Sequence, residues 1–319
     1  MLVTGCAGFI GWKTCSLLLE KGEEVIGIDN LNAYYDPQIK EWRLNELKRA
    51  QNFSFNRIDI TRMEPLRQLF KNHNFEAVIN LAARAGVRAS VENPWDYVDT
   101  NITGTLNLLD MCREFDIKKF VLASTSSLYG TNKMPFCEED RTDNPLSPYA
   151  ATKKAAEAMC YTYHFLYGID ITIPRYFTVY GPAGRPDMSI FRFIKNIYEG
   201  KPIEVFGDGR QKRDFTYVDD IAAGTVKALK PLGYEIINLG NNNPVELMYV
   251  INLIEENIEK KAKMKFLPKH PADVPATCAN IEKAKRLLGW EPEVMIEGGI
   301  KRTIDWYSEN ESWLKNMKI

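Results

Sequence analysis

The sequence has little of what metal and disulfide sites require. Its 319 residues include only three histidines, and its six cysteines are scattered with no CxxC pair. Because neither residue type stands at ligand spacing, we expect no transition-metal site. Unpaired thiols also favour a reducing compartment. We therefore expect chemistry that uses no metal.

The sequence also lacks a strong charge of either sign and a long apolar run. The formal net charge is -1, so nothing attracts nucleic acid or an anionic membrane overall, and individual groups must hold any anionic ligand. No apolar run reaches the roughly 18 residues that span a bilayer, and we find no signal peptide before the first predicted strand. We expect a cytoplasmic protein with no nucleic-acid or membrane partner.

The first half of the chain alternates strand and helix patterns. Short β-branched runs such as LVTG, EVIGID and EAVINLAA alternate with amphipathic stretches. Parallel neighbours need crossover connections, which usually carry helices. The order therefore predicts an α/β fold with a doubly wound parallel sheet. The predicted helices include about 39–50, 95–115 and 147–167.

The sequence pattern changes after Arg175, where proline and glycine residues are close together and few strands are predicted. We predict a smaller, mixed α/β domain there, with one helix and strand returning to the main sheet. The predicted boundaries are 1–174 plus about 214–239 for the first domain, and 175–213 plus about 240–319 for the second.

Three glycines follow the first strand, in TGCAGFIG. Gly5, Gly8 and Gly11 permit a tight turn and a close approach to a pyrophosphate, which the N-terminus of the next helix would bind. Asp29 ends the second strand, where a carboxylate accepts both ribose hydroxyls and repels a 2'-phosphate. This pattern predicts a Rossmann-type domain that binds NAD rather than NADP. The alternative is a structural turn and a solvated strand end.

The segment SPYAATKKAAE places Tyr149 and Lys153 on one face of a predicted helix. An ammonium about 5 Å from the phenol contributes about 3 kcal/mol at an effective dielectric near 20. We therefore expect Lys153 to lower the pKa of Tyr149 toward neutrality, and an oxidised nicotinamide to add to this effect. Tyr149 is the predicted general base and acid for a substrate hydroxyl whose carbon gives hydride to NAD. The alternative is an exposed pair on an amphipathic helix.

Together these residues resemble the extended short-chain dehydrogenase/reductase superfamily over nearly the whole chain. Three stretches more narrowly resemble UDP-glucuronate 4-epimerases, of the NAD-dependent epimerase/dehydratase family: DNLNAYYDPQIKEWRL, NLAARAGVRAS and YGPAGRPDMSIFRF. The resemblance implies interconversion of UDP-glucuronate and UDP-galacturonate through a 4-keto intermediate, with tightly bound NAD and a nucleotide-sugar-binding second domain. The helices starting near Trp95 and Ser147 resemble the pair through which relatives form homodimers.

The stretch ASTSSLYG distinguishes among relatives. Those that eliminate water from a 4-keto sugar carry Thr-Asp-Glu, and UDP-glucuronate decarboxylases carry Thr-Ser-Glu, where this chain has Thr125, Ser126 and Ser127. The missing carboxylates favour a reaction that moves only hydride and proton. By resemblance, Thr125 hydrogen-bonds the reacting sugar oxygen and assists Tyr149.

A uronate oxidised at C4 becomes a β-keto acid, which readily loses carbon dioxide. Fixed contacts to the carboxylate suppress this loss if they keep the breaking bond out of line with the carbonyl π-system. Ser126, Ser127 and Arg185 are the candidates, since a planar guanidinium suits a bidentate grip, and Arg88 is a further one. The alternatives are a surface arginine and hydroxyls that cap the backbone.

The resemblance assigns the remaining contacts. Arg213 would contact the UDP diphosphate, Asp273 the uridine ribose, and Thr178 the donor sugar or phosphate. Thr178 stands where UDP-galactose 4-epimerases often have asparagine. The cofactor-binding set is completed by Lys153, by Asp59 and Ile60 at the adenine, and by Asn101.

Three rival functions remain open. A UDP-glucose/UDP-galactose 4-epimerase would keep Tyr149 and Lys153 but would not use Arg185 as a carboxylate clamp. A UDP-glucuronate decarboxylase would carry an acid at the position of Ser127. A non-catalytic NAD-binding protein would keep the glycines without the tyrosine and lysine.

Overall fold

The computed structural model describes residues 1–269 and 273–318. The first half forms the predicted alternation of strands and helices, and a helix that the sequence analysis did not predict follows the third strand. The elements are β1 (Leu2–Thr4), α1 (Phe9–Glu20), β2 (Val25–Asp29), α2 (Gln38–Leu47), β3 (Phe53–Arg57), α3 (Met63–Asn72) and β4 (Ala77–Asn80).

The predicted helix over 95–115 changes pitch along its length. Its middle is a π-helical segment, which widens the turn and places Asn101 on the inner side, fully buried. The elements of this part are α4 (Val87–Glu92), α5 (Pro94–Tyr97), the π-helical segment (Val98–Thr103), α6 (Gly104–Glu114), β5 (Lys119–Leu122), β6 (Ser124–Thr125), a 3-10 turn (Ser126–Tyr129), α7 (Pro148–Tyr167) and β7 (Asp170–Tyr176).

The later elements include two small sheets. They are β8 (Thr178–Tyr180), α8 (Ser189–Tyr198), β9 (Pro202–Phe206), β10 (Lys212–Tyr217), α9 (Val218–Lys227), β11 (Tyr234–Leu239), β12 (Pro244–Glu246), α10 (Leu247–Ile258), β13 (Lys263–Leu267), α11 (Glu282–Leu288), α12 (Ile296–Glu309) and α13 (Glu311–Leu314). One small sheet has the order β12-β10-β8, and the other pairs β13 with β9.

The main sheet is parallel and doubly wound, as predicted. Its order is β11-β7-β5-β4-β1-β2-β3, with the short β6 also paired to β7. The segment predicted to return to this sheet does so, because β11 pairs with β7 from Tyr234 opposite Ile171 onward. The direction of winding changes between β1 and β4, and a crevice opens there beyond the carboxyl ends of the strands.

The two parts of the chain share a packed boundary around this crevice. Strand β4 is buried along its whole length, since helices cover both faces of the sheet. Across the boundary, the fully buried Arg43 of α2 donates to the carbonyl oxygens of Ala7 (3.1 Å), Ala183 (2.6 Å) and Gly184 (3.0 Å). One side chain thus ties the first loop to a loop of the second half.

None of the described helices combines the length and the apolar character needed to cross a membrane.

Candidate active site

One deep cleft lies beyond the carboxyl ends of the strands. Its cavity volume is about 440 Å³, which lies within the roughly 300–1,000 Å³ of small-molecule sites. The cleft is therefore large enough to be a ligand site. Most of the predicted site residues line it: Gly5, Gly8, Gly11, Asp29, Asp59, Ile60, Thr125, Ser126, Ser127, Tyr149, Thr178, Arg185, Arg213 and Asp273.

The glycine loop (residues 5–11) forms one end of the cleft. Gly5 has a φ of +67°, and the Gly8 amide donates to the Gly5 carbonyl oxygen at 2.8 Å. A Cβ on Gly11 would stand 2.0 Å from the same oxygen, and one on Gly8 would stand 2.9 Å from it. The turn is therefore too tight for side chains, and it directs the N-terminus of α1 into the cleft. These residues fit the pyrophosphate of a dinucleotide.

Two carboxylates lie beside this loop. Asp29 accepts the Leu31 amide on Oδ1 (2.7 Å), and no partner of its Oδ2 is recorded in residues 1–269 or 273–318, so that oxygen is available to a ribose hydroxyl. Burial opposes the charge of Asp59, but hydrogen bonds from Asn30 and Thr61 lower the pKa of its carboxyl below the usual value. The Asp59 carboxyl is therefore an anionic acceptor at neutral pH.

Lys40 is a cleft residue that the sequence analysis missed. Its Nζ donates to the Asn32 carbonyl oxygen at 2.9 Å. Burial lowers the pKa of Lys40, while Asp29 raises it in part. The signal was available, because Lys40 belongs to the quoted stretch DNLNAYYDPQIKEWRL. Its place near Asp29 makes it a further candidate for the cofactor end of the cleft.

Helix α7 carries the tyrosine and lysine as predicted. The helix begins at Pro148, and the Ser147 hydroxyl caps it by accepting the Ala150 amide (3.2 Å). Tyr149 therefore lies in the first turn and lines the cleft. Lys153 lies one turn later, 3% exposed and behind the cleft wall.

The expected effect of Lys153 on Tyr149 is absent from this structure, and that prediction was wrong. Burial raises the pKa of Tyr149 above its usual value, and only the Thr125 hydroxyl and the charge of Arg185 act to lower it. Burial also lowers the pKa of Lys153 to about 8, although Glu157 opposes this shift. The reason is that removal from water penalises both charged forms, and Lys153 is not one of the described groups that shift the pKa of Tyr149.

A buried ion pair, also missed from the sequence, fixes α7 against the sheet. Glu157 accepts from Ser124 Oγ (2.6 Å) and from Arg175 Nε (2.9 Å) on Oε1, and from Arg175 Nη2 (2.8 Å) on Oε2. Arg175 also donates to the Tyr129 hydroxyl at 3.0 Å. Because Glu157 is one turn beyond Lys153, the pair sets both the position of the helix and the electrostatic surroundings of the lysine.

Three hydroxyl side chains of ASTSSLYG, those of Thr125, Ser126 and Ser127, lie where β6 ends. The Thr125 hydroxyl accepts the Ser127 amide (3.2 Å) and donates to Ser127 Oγ (3.2 Å). Thr125 therefore caps the 3-10 turn and also faces Tyr149. Ser126 and Ser127 are half-buried and line the cleft, which fits side chains that contact a ligand.

Arg185 lies in the cleft, which excludes a surface arginine. Its side chain is 19% exposed, and Nε and Nη2 donate to the two carboxylate oxygens of Asp187 at 3.0 and 2.5 Å. Nη2 also donates to the Ala85 carbonyl oxygen at 3.0 Å. The expected bidentate grip is therefore made on Asp187, a residue that the sequence analysis did not consider.

The remaining predicted residues lie at the end of the cleft away from the glycine loop, or behind the cleft wall. Arg88 forms an ion pair with Asp273 (2.5 Å), and its guanidinium lies 3.6 Å from the ring centroid of Phe206. This contact groups Arg88 with the predicted uridine end rather than with Arg185. Arg213 donates to the Lys212 carbonyl oxygen at 2.9 Å, and burial lowers its pKa.

Asn101 supports the wall of the cleft from behind. Its Oδ1 accepts the Arg84 amide (2.9 Å), and its Nδ2 donates to the Arg84 carbonyl oxygen (3.0 Å) and to Thr152 (3.0 Å). The π-helical turn is what brings this side chain to the backbone at residue 84, which lines the cleft.

Comparisons with known proteins agree on one family. The family described as GDP-mannose 4,6 dehydratase matches residues 2–303. A UDP-glucuronate 4-epimerase of Thermodesulfobacterium geofontis is 61% identical over 100% of this chain and 99% of its own length.

Solved structures give the same picture. UDP-glucuronic acid 4-epimerase from Bacillus cereus, in complex with UDP-glucuronic acid and NAD, is 39% identical with a TM-score of 0.92, over 97% of this chain and 99% of that one. UDP-glucose 4-epimerase from Thermotoga maritima, with UDP-glucose, is 33% identical with a TM-score of 0.90 over the same shares.

Proposed function

The chain belongs to the GDP-mannose 4,6 dehydratase family of the extended short-chain dehydrogenases/reductases, together with the UDP-glucuronate 4-epimerases, and we propose that it is one of these epimerases. It is an isomerase that interconverts UDP-glucuronate and UDP-galacturonate with tightly bound NAD. The observation that carries the proposal is the cleft, in which the glycine loop, Tyr149 and Arg185 all lie.

The glycine loop and Asp29 would hold NAD, which supplies a reversible acceptor for the C4 hydride when bound. The loop offers backbone N-H groups to the pyrophosphate, and Asp29 offers its free oxygen to the ribose. We assign residues 1–174 plus about 214–239 to this NAD-binding domain. Residues 175–213 plus about 240–319 then form the nucleotide-sugar-binding domain.

Tyr149 removes the C4 hydroxyl proton of the sugar and later returns it. Thr125 supports this step, because its hydroxyl favours the phenolate. Between removal and return of the C4 hydride, the keto sugar must turn so that its other face meets the cofactor. The protein therefore has to bind the UDP group firmly while the sugar ring stays free to turn. Arg213, Asp273 and Thr178 are the residues we assign to the firm contacts.

The uronate carboxylate is held apart from the reacting centre. Ser126, Ser127 and Arg185 line the same cleft as Tyr149. A guanidinium donor and two hydroxyls hold the carboxylate so that the C5-carboxylate bond cannot move into line with the C4 carbonyl π-system. This restriction opposes the loss of carbon dioxide from the keto intermediate.

Proton NMR of the purified protein with UDP-glucuronate, without added NAD, tests the proposal directly. We expect UDP-galacturonate to accumulate until the two epimers reach equilibrium. UDP-xylose and carbon dioxide as main products would instead identify a decarboxylase. No conversion of UDP-glucuronate, with ready conversion of UDP-glucose, would identify a neutral-hexose epimerase.

Arg185→Ala tests the choice between a uronate and a neutral sugar. Hydrogen bonds to charged groups contribute about 1.5–3 kcal/mol, so kcat/KM for UDP-glucuronate should fall by about 10- to 100-fold, with a much smaller change for UDP-glucose. Steady-state assays on both substrates measure this. The control is Arg192→Ala, which removes an ion pair with Glu204 (3.2 Å) outside the cleft. Equal losses on both sugars would deny Arg185 a role at the carboxylate.

Glu157→Gln tests the surroundings of Lys153. Because Glu157 raises the pKa of Lys153, its removal should shift that pKa below about 8. The ammonium that we assign to the cofactor site is then lost at lower pH, which should move the alkaline limb of the kcat-pH profile to lower pH. Breaking a buried ion pair should also cost about 3–5 kcal/mol of unfolding free energy. The control is Glu114→Gln, which loses the exposed pair with Arg67. If the variant lost unfolding free energy but kept the alkaline limb of its kcat-pH profile at the wild-type pH, the role of Glu157 would be structural only.

We also propose that the protein is a cytoplasmic homodimer. Trp95 of α5 and Phe165 of α7 are 73% and 75% exposed, and α5 packs beside α7. Large aromatic side chains that protrude from adjacent helices are suited to an interface with a second copy. Sedimentation equilibrium distinguishes this dimer from a monomer.

A further inference from the structure

The guanidinium of Arg185 is held on three sides. Asp187, two residues further along the same loop, accepts two hydrogen bonds, one from Nε at 3.0 Å and one from Nη2 at 2.5 Å. Ala85 accepts a third, from Nη2 at 3.0 Å. The ring of Tyr34 covers the group, with its centroid 5.6 Å from Cζ. These contacts fix both the position and the plane of the guanidinium.

The same contacts leave one end of the guanidinium for a ligand. Arginine has five N-H donors, and Asp187 and Ala85 take the one on Nε and both on Nη2. Among the described residues, no acceptor of the two Nη1 hydrogens is recorded. Because the group is planar and rigid, fixing three of its donors also fixes the direction of the other two.

Asp187 also compensates the charge of the guanidinium inside the cleft. Burial opposes the charge, but the carboxylate of Asp187 raises the pKa of Arg185 above its usual value. Without that carboxylate, two N-H donors and a positive charge would lose their partner inside the cleft. The arginine would then turn toward whatever acceptors it could reach.

Resting on the proposed function, we propose that Asp187 is a positioning residue that determines the product of the reaction. By holding Nε and Nη2 of Arg185, it directs Nη1 toward the uronate carboxylate. The carboxylate then stays in an orientation that leaves the C5-carboxylate bond out of line with the C4 carbonyl π-system.

The reaction that competes with epimerisation is decarboxylation of the 4-keto intermediate. In the 4-keto intermediate, the bond between C5 and the carboxylate carbon breaks, and its electron pair forms the enolate of the C4 carbonyl. Carbon dioxide leaves, and C5 takes a proton from water, which gives a UDP-linked ketopentose. If the guanidinium could move, the carboxylate could shift with the ring until the C5-carboxylate bond lines up with the C4 carbonyl π-system, as this step requires.

A different role for Asp187 makes the opposite prediction. If Asp187 only occupied Arg185 until a substrate carboxylate displaced it, its removal would strengthen uronate binding. If it positions Arg185, its removal weakens binding and lets carbon dioxide escape. The two roles therefore differ in the sign of the change in affinity.

The test is Asp187→Asn in the full chain, with products from UDP-glucuronate quantified by proton NMR and carbon dioxide release. Asn keeps the shape and one acceptor but loses the charge. We therefore expect the ratio of decarboxylated sugar to UDP-galacturonate to rise by about tenfold or more, counting the UDP-ketopentose together with the UDP-pentose formed when the C4 hydride returns to it. Asp187→Glu keeps the charge and should recover at least part of the wild-type ratio. The matched control is Glu204→Gln, which removes the partner of Arg192 outside the cleft.

Binding gives a second readout that needs no turnover. In a Tyr149→Phe background, calorimetry should show UDP-glucuronate binding about tenfold more weakly after Asp187→Asn, with UDP-glucose unchanged. An unchanged product ratio, or tighter uronate binding, would overturn the positioning role. Failure of the wild-type protein to epimerise UDP-glucuronate would instead overturn the proposed function, and the calorimetric comparison remains informative in that case.

Discussion

Tyr149→Phe is expected to lower kcat for UDP-glucuronate by about 10²–10⁴-fold, the usual contribution of a positioned general base and acid. The phenyl ring keeps the packing of Tyr149 against Tyr97, whose ring centroid lies 6.1 Å away. Affinity for the nucleotide sugar should therefore change little. The measurements are kcat by NMR and the dissociation constant of UDP-glucuronate by calorimetry.

The pH dependence identifies the group. Burial raises the pKa of Tyr149, and a base acts only when deprotonated, so wild-type kcat should fall as pH decreases below that pKa. The residual activity of the variant should lack this acid limb.

A second tyrosine on the same helix serves as the control. Tyr163 has a long hydrogen bond to Asp110, at 3.4 Å, and does not line the cleft, so Tyr163→Phe should stay within about twofold of wild type. Near-normal turnover of Tyr149→Phe, or an acid limb that survives in it, would remove Tyr149 as the base.

Gly11→Ala is expected to abolish retention of NAD and to destabilise the protein. The new Cβ would lie 2.0 Å from the carbonyl oxygen of Gly5. The carbonyl oxygen is a backbone atom, and a Cβ is bonded directly to the backbone, so neither can move aside by a side-chain rotation. Relief of the clash must therefore move the turn that binds the pyrophosphate. Overpacking of this kind costs about 1–3 kcal/mol. NAD content after acid release and the Tm of the purified variant measure the two effects.

Gly298→Ala is the matched control, since both glycines lie in helices. Gly298 is in α12, and a Cβ there would meet nothing within 4 Å. The helical preference of alanine should make this change neutral or stabilising by about 0.5 kcal/mol. If both variants kept NAD and wild-type stability, the tight turn would not be what holds the cofactor.

Much of the fold followed from local pattern. The alternation of strands and helices predicted the doubly wound sheet, and the glycine spacing before α1 predicted a loop that indeed excludes side chains. The break between α5 and α6 was not predictable, because the π-helical segment depends on where the buried Asn101 finds its partners. The helix α3 was not predicted, although Leu66, Leu69 and Phe70 stand at the i, i+3 and i+4 spacing of a buried helix face.

The site was predictable where its residues are neighbours in sequence or recur in a known motif. Tyr149 and Lys153 follow from helical spacing, and Arg185 from a resemblance of the surrounding stretch. Glu157 and Asp187 were missed although each is close in sequence to a predicted residue. A carboxylate near a basic residue is common, and only burial shows which one is a partner.

The sequence by itself determined the order of the elements, the glycine loop and the helix that carries Tyr149, because each depends on residues within a few turns of one another. Only the tertiary structure decided the charges in the cleft. It paired Arg88 with Asp273, which are far apart in sequence, and it paired the guanidinium of Arg185 with the carboxylate of Asp187. Burial in the fold also raised the pKa of Tyr149, where a nearby ammonium was expected to lower it. The reason is that desolvation depends on everything that covers a group, and that cover comes from distant parts of the chain.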